Sequence, residues 1–172
     1  MRGLLVAVAI ALLPLASRAA YDQTTWGMPL AKVRKLYPGG HVATIPNGDV
    51  EYRVNKHVGG FENALVVFKF PSTRLLNEVL IGFPAGGTFA DLKTGFYDIP
   101  SAKDGESKAR TLREHLTEKY GEPRSYTTPE GGQIDLWDSV GLFVRPSSDG
   151  HHLNVRLRYV SPAHGDDPHK GL

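Results

Sequence analysis

The stretch LAKVRKLYPGGHVATIPNGDVEYRV, residues 30–54, decides the fold. Leu30, Val33 and Tyr37 fall at i, i+3 and i+7, which makes one apolar face of a short helix. Pro29 suits a first helical turn, where its missing N–H goes unused, and Pro38-Gly39-Gly40 ends the helix. His41 to Ile45 and Val50 to Val54 then alternate in character around Pro46-Asn47-Gly48-Asp49. Asn-Gly between two such runs predicts a hairpin. Outward from it, Leu65 to Phe70 reads as a third strand closed by Pro71-Ser72, and Leu75 to Phe83 as a fourth. Short connections make these strands antiparallel.

The same order recurs downstream. Ser107 to Tyr120 reads as a helix with Ala109, Leu112, Leu116 and Tyr120 on one side, ended by Gly121 and Pro123. Arg124 to Thr128, Gln133 to Asp138, Leu142 to Arg145 and Leu153 to Val160 follow as strands. Tyr37, Thr44, Pro46 and Gly48 match Tyr120, Thr127, Pro129 and Gly131 at one constant offset, with Val33 and Leu116 as corresponding apolar positions. The expectation is an α+β domain over 20–160, built of two helix-plus-four-strand halves at about 24–83 and 107–160. It would hold about eight mostly antiparallel strands with two main helices on one face. The halves either share a helical layer or join edges into one longer sheet, and both arrangements leave one sheet face open to solvent or a partner.

The ends carry different information. Met1 and Arg2 precede an apolar stretch from Gly3 to Leu13, then Pro14 and the small residues Ala16, Ser17, Ala19 and Ala20. This pattern predicts a secretory signal peptide over 1–19, because Ser17 and Ala19 meet the small-residue requirement for cleavage after Ala19. No later segment is apolar enough to span a bilayer, so the expected location is the periplasm or the exterior. Removing the leader leaves 20–172, with eighteen basic and eighteen acidic side chains. A chain of about 150 residues buries about 70% of its unfolded surface and folds without staples. At the other end, 161–172 has the composition of a flexible tail, although His164, Asp166, Asp167 and His169 are metal-ligand types.

Composition excludes several functions. The full chain is 41% apolar and 22% charged, as a globular protein is, and its formal charge of +2 is not concentrated in any basic run. That argues against nucleic-acid binding. With no cysteine there is no disulfide, Cys-ligated zinc, iron–sulfur cluster or thiol nucleophile.

The Trp26-Gly27-Met28-Pro29-Leu30-Ala31-Lys32-Val33 segment and the Lys119-Tyr120-Gly121-Glu122-Pro123 stretch resemble small exported bacterial proteins of unassigned function. The helix-plus-four-strand tandem is similar in outline to β-lactamase inhibitor proteins, and one half resembles outer-membrane assembly lipoproteins of the SmpA/OmlA type. The resemblance implies a surface that binds protein rather than a catalytic centre. The inhibitors carry disulfides and the assembly proteins a lipid anchor, and this chain lacks the cysteine for either.

The motifs of common hydrolase, metalloprotease and nucleotide sites are absent. No catalytic, metal or cofactor residue is assigned. An enzyme would need a dispersed site, for example one using His115 and Glu118, three apart on the second helix, or a carboxylate. His151 and His152 point to opposite faces of a strand and do not grip one ion together. Non-catalytic binding of a protein or envelope component on the open face and its loops is the preferred reading. Alternation across Ile134 to Asp138 puts Trp137 on the polar side with Asp135, where it either anchors a partner or packs under a loop or the other half. Tyr52 and Tyr126 pose the same choice, whereas Trp26 reads as a core plug. The apolar linker Phe89 to Ile99, with Phe96 and Tyr97, either covers the sheet or presents a contact loop.

Overall fold

A computed structural model describes residues 20–59, 61–83, 102–146 and 153–162. The predicted leader, the linker with Phe96 and Tyr97, His151 and His152, and the tail beyond 162 lie outside the described residues. The elements run α1 (Leu30–Leu36), β1 (His41–Thr44), β2 (Val50–Val58), β3 (Phe61–Phe70), β4 (Glu78–Gly82), α2 (Ala102–Tyr120), β5 (Arg124–Thr127), β6 (Gln133–Trp137), β7 (Val140–Pro146) and β8 (Leu153–Val160). All eight strands form one antiparallel sheet in the order β1-β2-β3-β4-β8-β7-β6-β5. Of the two arrangements open to the sequence, the edges join: β4 pairs with β8 through Leu80 opposite Arg158.

Several boundaries differ from the sequence reading, each for a packing reason. Helix α2 begins at Ala102, not Ser107, and Gly105 lies so close to β8 that an added Cβ would meet the Leu153 Cβ at 2.9 Å. A glycine outside the expected helix therefore serves as the contact between helix and sheet. Strands β2 and β3 both run longer than expected because Val58 pairs with Phe61 across a short connection. Pro29 sits one place before α1, extended at φ −71° and ψ 151°, and its carbonyl accepts from Lys32 and Val33. Leu75 is outside β4 and bridges back to Pro29.

The first hairpins of the two segments share one register. The pairs His41 with Arg53, Val42 with Tyr52, Ala43 with Glu51 and Thr44 with Val50 reappear, at the offset that relates Tyr37 to Tyr120, as Arg124 with Leu136, Ser125 with Asp135, Tyr126 with Ile134 and Thr127 with Gln133. Their loops match as well: Ile45 N–H donates to the Asp49 carbonyl at 3.0 Å and Thr128 N–H to the Gly132 carbonyl at 2.8 Å. Gly48 and Gly131, at φ +85° and +78°, take the left-handed position that each loop requires.

Both helices lie on one face. Val33 and Tyr37 of α1 and Leu112 and Leu116 of α2 belong to one buried cluster with Tyr52, Phe68, Val79, Leu157, Leu142 and Trp137. Period-two alternation sends the intervening residues to the opposite face, where no described helix lies. That face is not a bare pleated surface, since Leu65 (0% exposed), Val67 (2%) and Leu136 (1%) are buried on it. Ion pairs run across it, with Glu51 to Arg53 at 2.6 Å, Lys69 to Glu78 at 3.5 Å and Arg158 to Glu78 at 2.9 Å. Its solvated end is at β5, where all four residues are exposed.

Candidate binding cleft

The N-terminal segment closes on itself before α1 begins. Ala20 N–H donates to the Thr24 carbonyl at 3.0 Å, Thr24 N–H to the Tyr21 carbonyl at 2.9 Å, and the Thr24 hydroxyl to that same carbonyl at 2.6 Å. Thr24 and Ala20 are buried, so this turn is part of the core. It forces Asp22 to φ +50°, a region that aspartate tolerates better than most residues. Its carboxylate accepts from the Tyr37 hydroxyl at 3.2 Å and pairs with Lys56 Nζ at 3.8 Å. Lys56 Nζ also sits 4.6 Å from the Tyr37 ring centroid.

Of these residues, Ala20, Tyr21, Asp22 and Lys56 line a cleft of about 420 Å³. The N-terminal turn contributes Tyr21 and Asp22, the end of β2 Lys56 and His57, the end of α2 Lys119 and Tyr120, and β8 Tyr159. The Tyr21 ring lies 5.9 Å from Tyr159 and 6.2 Å from Phe68 beneath, spacings at which tilted aromatic pairs attract. Lys119 Nζ stands 5.0 Å from the ring of the half-exposed Tyr120. The cleft thus has aromatic walls with lysines and one carboxylate set among them.

The phenols are held in their neutral form. Burial first, and then the Asp22 charge, push Tyr21 far above the ordinary tyrosine value. Burial does the same to Tyr159, reinforced by Tyr120 and Tyr21. Burial raises Tyr37 to about 12 against the opposing hydrogen bond from Gln23 N–H, with Asp22 adding to the rise. At neutral pH Tyr21 and Tyr159 offer O–H donors and ring faces to the cleft, not bases.

A second, smaller cleft of about 220 Å³ lies between α2 and β6 and contains Asp135, which is 1% exposed. Its carboxylate accepts from Ser125 Oγ at 2.6 Å and from Gln133 Nε2 at 3.0 and 3.1 Å, and pairs with Arg113 Nε at 3.2 Å. Its lone pairs are engaged by neighbours on β5, β6 and α2, which is the arrangement of a structural brace.

The aromatic residues singled out from sequence separate. Trp137 is 5% exposed on the helix-covered face, and its Nε1–H donates to the Gly121 carbonyl at 2.7 Å. Tyr52 is 1% exposed; its hydroxyl donates to the Tyr37 carbonyl and accepts from Gly40 N–H. Both are buried core residues, because the face that alternation assigns to Trp137 is the one the helices cover. Tyr126 is 42% exposed on the opposite face, in register with Ile134. Trp26 packs half-buried against the core. His115 and Glu118 are exposed on α2. Among the described residues no group of three His, Cys, Asp or Glu side chains is placed to hold a metal ion, and no helix is long and apolar enough to cross a membrane.

Sequence reasoning missed Tyr21, Asp22, Lys56, Tyr120 and Tyr159 as a set. The available signal was the position of Tyr21 and Asp22 directly after the predicted cleavage point, and of Tyr120 at the offset from Tyr37. Comparison with protein-family models, curated proteins and solved structures finds no match to this chain.

Proposed function

We propose that this is an exported protein that binds another protein or an envelope component without transforming it, and that the tyrosine cleft is its principal contact point. The observation that carries the reading is the convergence of Tyr21, Tyr120 and Tyr159 with Lys56 and Lys119 at one cleft. Rigid amphipathic rings with polar tips supply contact area at low entropic cost, which is what recognition sites use. Phenols held neutral suit hydrogen bonding to a ligand better than proton abstraction from it. The dispersed-enzyme alternative gains less support, since His115 and Glu118 stand exposed on α2 and Asp135 is engaged by its own neighbours. The leader predicted over 1–19 supports export, and Tyr126 with the β5 end of the opposite face is a secondary contact surface.

The test is affinity capture from a bacterial envelope extract on the immobilised protein, beside the Tyr120→Ala, Lys119→Ala and Tyr126→Ala variants. The cleft reading expects bound components to be lost with the first two substitutions and kept with the third. Retention of every bound component by both cleft variants overturns it, and loss confined to Tyr126→Ala moves the contact to the opposite face.

A further inference from the structure

Ala20 is at once a wall residue of the tyrosine cleft, 5% exposed, and the first residue after the predicted cleavage point. Its nitrogen is fixed by the bond to the Thr24 carbonyl at 3.0 Å, inside a turn whose other bonds join Tyr21 and Thr24. We propose that cleavage after Ala19 builds the last element of the cleft, an α-ammonium at Ala20, and that the completed cleft takes an organic anion with an aromatic body. This rests on the binding reading given above.

The chemistry is hydrolysis by a signal peptidase. Water adds to the Ala19 carbonyl, the C–N bond to Ala20 breaks, Ala19 leaves as a carboxylate, and the Ala20 nitrogen takes up protons to become an ammonium at neutral pH. Because the folded protein buries Ala20, the cut belongs to the translocating, unfolded chain, and folding then places the new ammonium at the cleft wall. As an amide the nitrogen has one N–H, which Thr24 accepts. As an ammonium it has two further donors and a positive charge at a cleft wall.

The charge pattern selects the ligand. Lys56, Lys119 and the ammonium outweigh the one carboxylate on the lining, Asp22, which is already engaged by Lys56 and Tyr37. An anionic group finds a lining of net positive charge there, and an aromatic body finds the rings of Tyr21, Tyr120 and Tyr159. A cationic ligand meets repulsion, and a neutral one leaves the ammonium without a counter-charge.

The test compares three forms of the chain beginning at Ala20: free amine, N-acetylated, and extended by Gly-Ser. The probe is 4-phenylbutyrate, with 4-phenylbutan-1-ol as its neutral counterpart, followed through the NMR signals of the tyrosine rings. Acetylation restores the amide found at this position in the structure, so the fold is expected to persist, and circular dichroism checks it. The expected result is that 4-phenylbutyrate shifts Tyr21, Tyr120 and Tyr159 in the free-amine form. Affinity falls about tenfold on acetylation, the size of one charge-assisted hydrogen bond. The Gly-Ser form, whose ammonium is displaced from the cleft, should match the acetylated one, and the alcohol should not distinguish the forms. Equal affinity of all three forms for 4-phenylbutyrate overturns the ammonium while leaving the cleft as a binding site. Absence of ring shifts in every form overturns the organic-anion proposal, whereas failure of the cleft itself is read from the envelope-capture variants. An exported protein whose mass shows it starting anywhere but Ala20 also overturns the ammonium.

Discussion

The β1–β2 and β5–β6 hairpins share a register and differ in the chemistry that ties each to the helix before it. In the first, Tyr52 reaches from β2 to the Tyr37 carbonyl at the end of α1. In the second, the corresponding position is Asp135, bound to Arg113 on α2 and Ser125 on β5, and the bond to the helix end comes from Trp137, one pleat further along. Both devices satisfy a carbonyl that a helix terminus leaves orphaned. An identical backbone register thus fixes where a ring must reach but not which strand position supplies it.

The largest effect should come from removing a whole ring. Trp137→Ala is expected to destabilise the protein by about 3–5 kcal/mol in urea unfolding, as a lost buried aromatic does. Trp137→Phe, keeping most of the ring, should cost about 1 kcal/mol through the Gly121 carbonyl. A cost near zero for the phenylalanine variant would remove the parallel between the two ties. Tyr52→Phe is next, at about 1–3 kcal/mol, because the Tyr37 carbonyl and the Gly40 N–H both lose a partner.

Gly105→Ala sets helix propensity against packing. The added methyl gains up to about 1 kcal/mol as a helix former. It also meets the Leu153 Cβ at 2.9 Å. The net expectation is a loss of about 1–2 kcal/mol from overpacking, partly recovered in a double-mutant cycle by Leu153→Gly, which removes that Cβ. Gly48→Ala and Gly131→Ala should each cost about 1 kcal/mol, since both need positive φ. Unequal costs would show that the matching loops bear different loads.

The smallest effect on pH dependence near neutrality belongs to Tyr37. Its folded pKa, raised to about 12 from 10.0, means that the neutral phenol is favoured in the folded state. The stabilisation is complete below pH 10 and is lost as pH rises through about 12. Tyr37→Phe should therefore flatten the alkaline end of a stability-against-pH curve while scarcely altering its slope near pH 7.

Much of the fold was legible. Apolar spacing at Leu30, Val33 and Tyr37 and at Leu112 and Leu116 identified both helices. The turn residues at 46–49 and 129–132 placed the hairpin loops, because left-handed positions demand glycine. Strands β2 and β3 outran their expected lengths because they continue to Val58 and from Phe61, beyond the stretches where apolar alternation is clear. Gly105 fell outside the expected helix because its steric role depends on Leu153, a residue far along the chain on the last strand. The site was far less legible. Alternation groups Trp137 with Asp135 as the structure does, but that side is the one the helices cover and not a solvated polar face, and nothing local in the sequence says so. Tyr21, Lys56, Tyr120 and Tyr159 are ordinary in their own segments and become a cleft only where those segments meet.

Local order is a matter of periodicity, turn chemistry and chain stiffness, which neighbouring residues decide among themselves, so the sequence alone determined the element types, the antiparallel pairing and the α+β class. Which face is covered, where the two runs of strands join and which tyrosines share a cleft depend on contacts between residues as distant in sequence as Ala20 and Tyr159. Those contacts are chosen by the burial of one common core, and only the tertiary structure decides them.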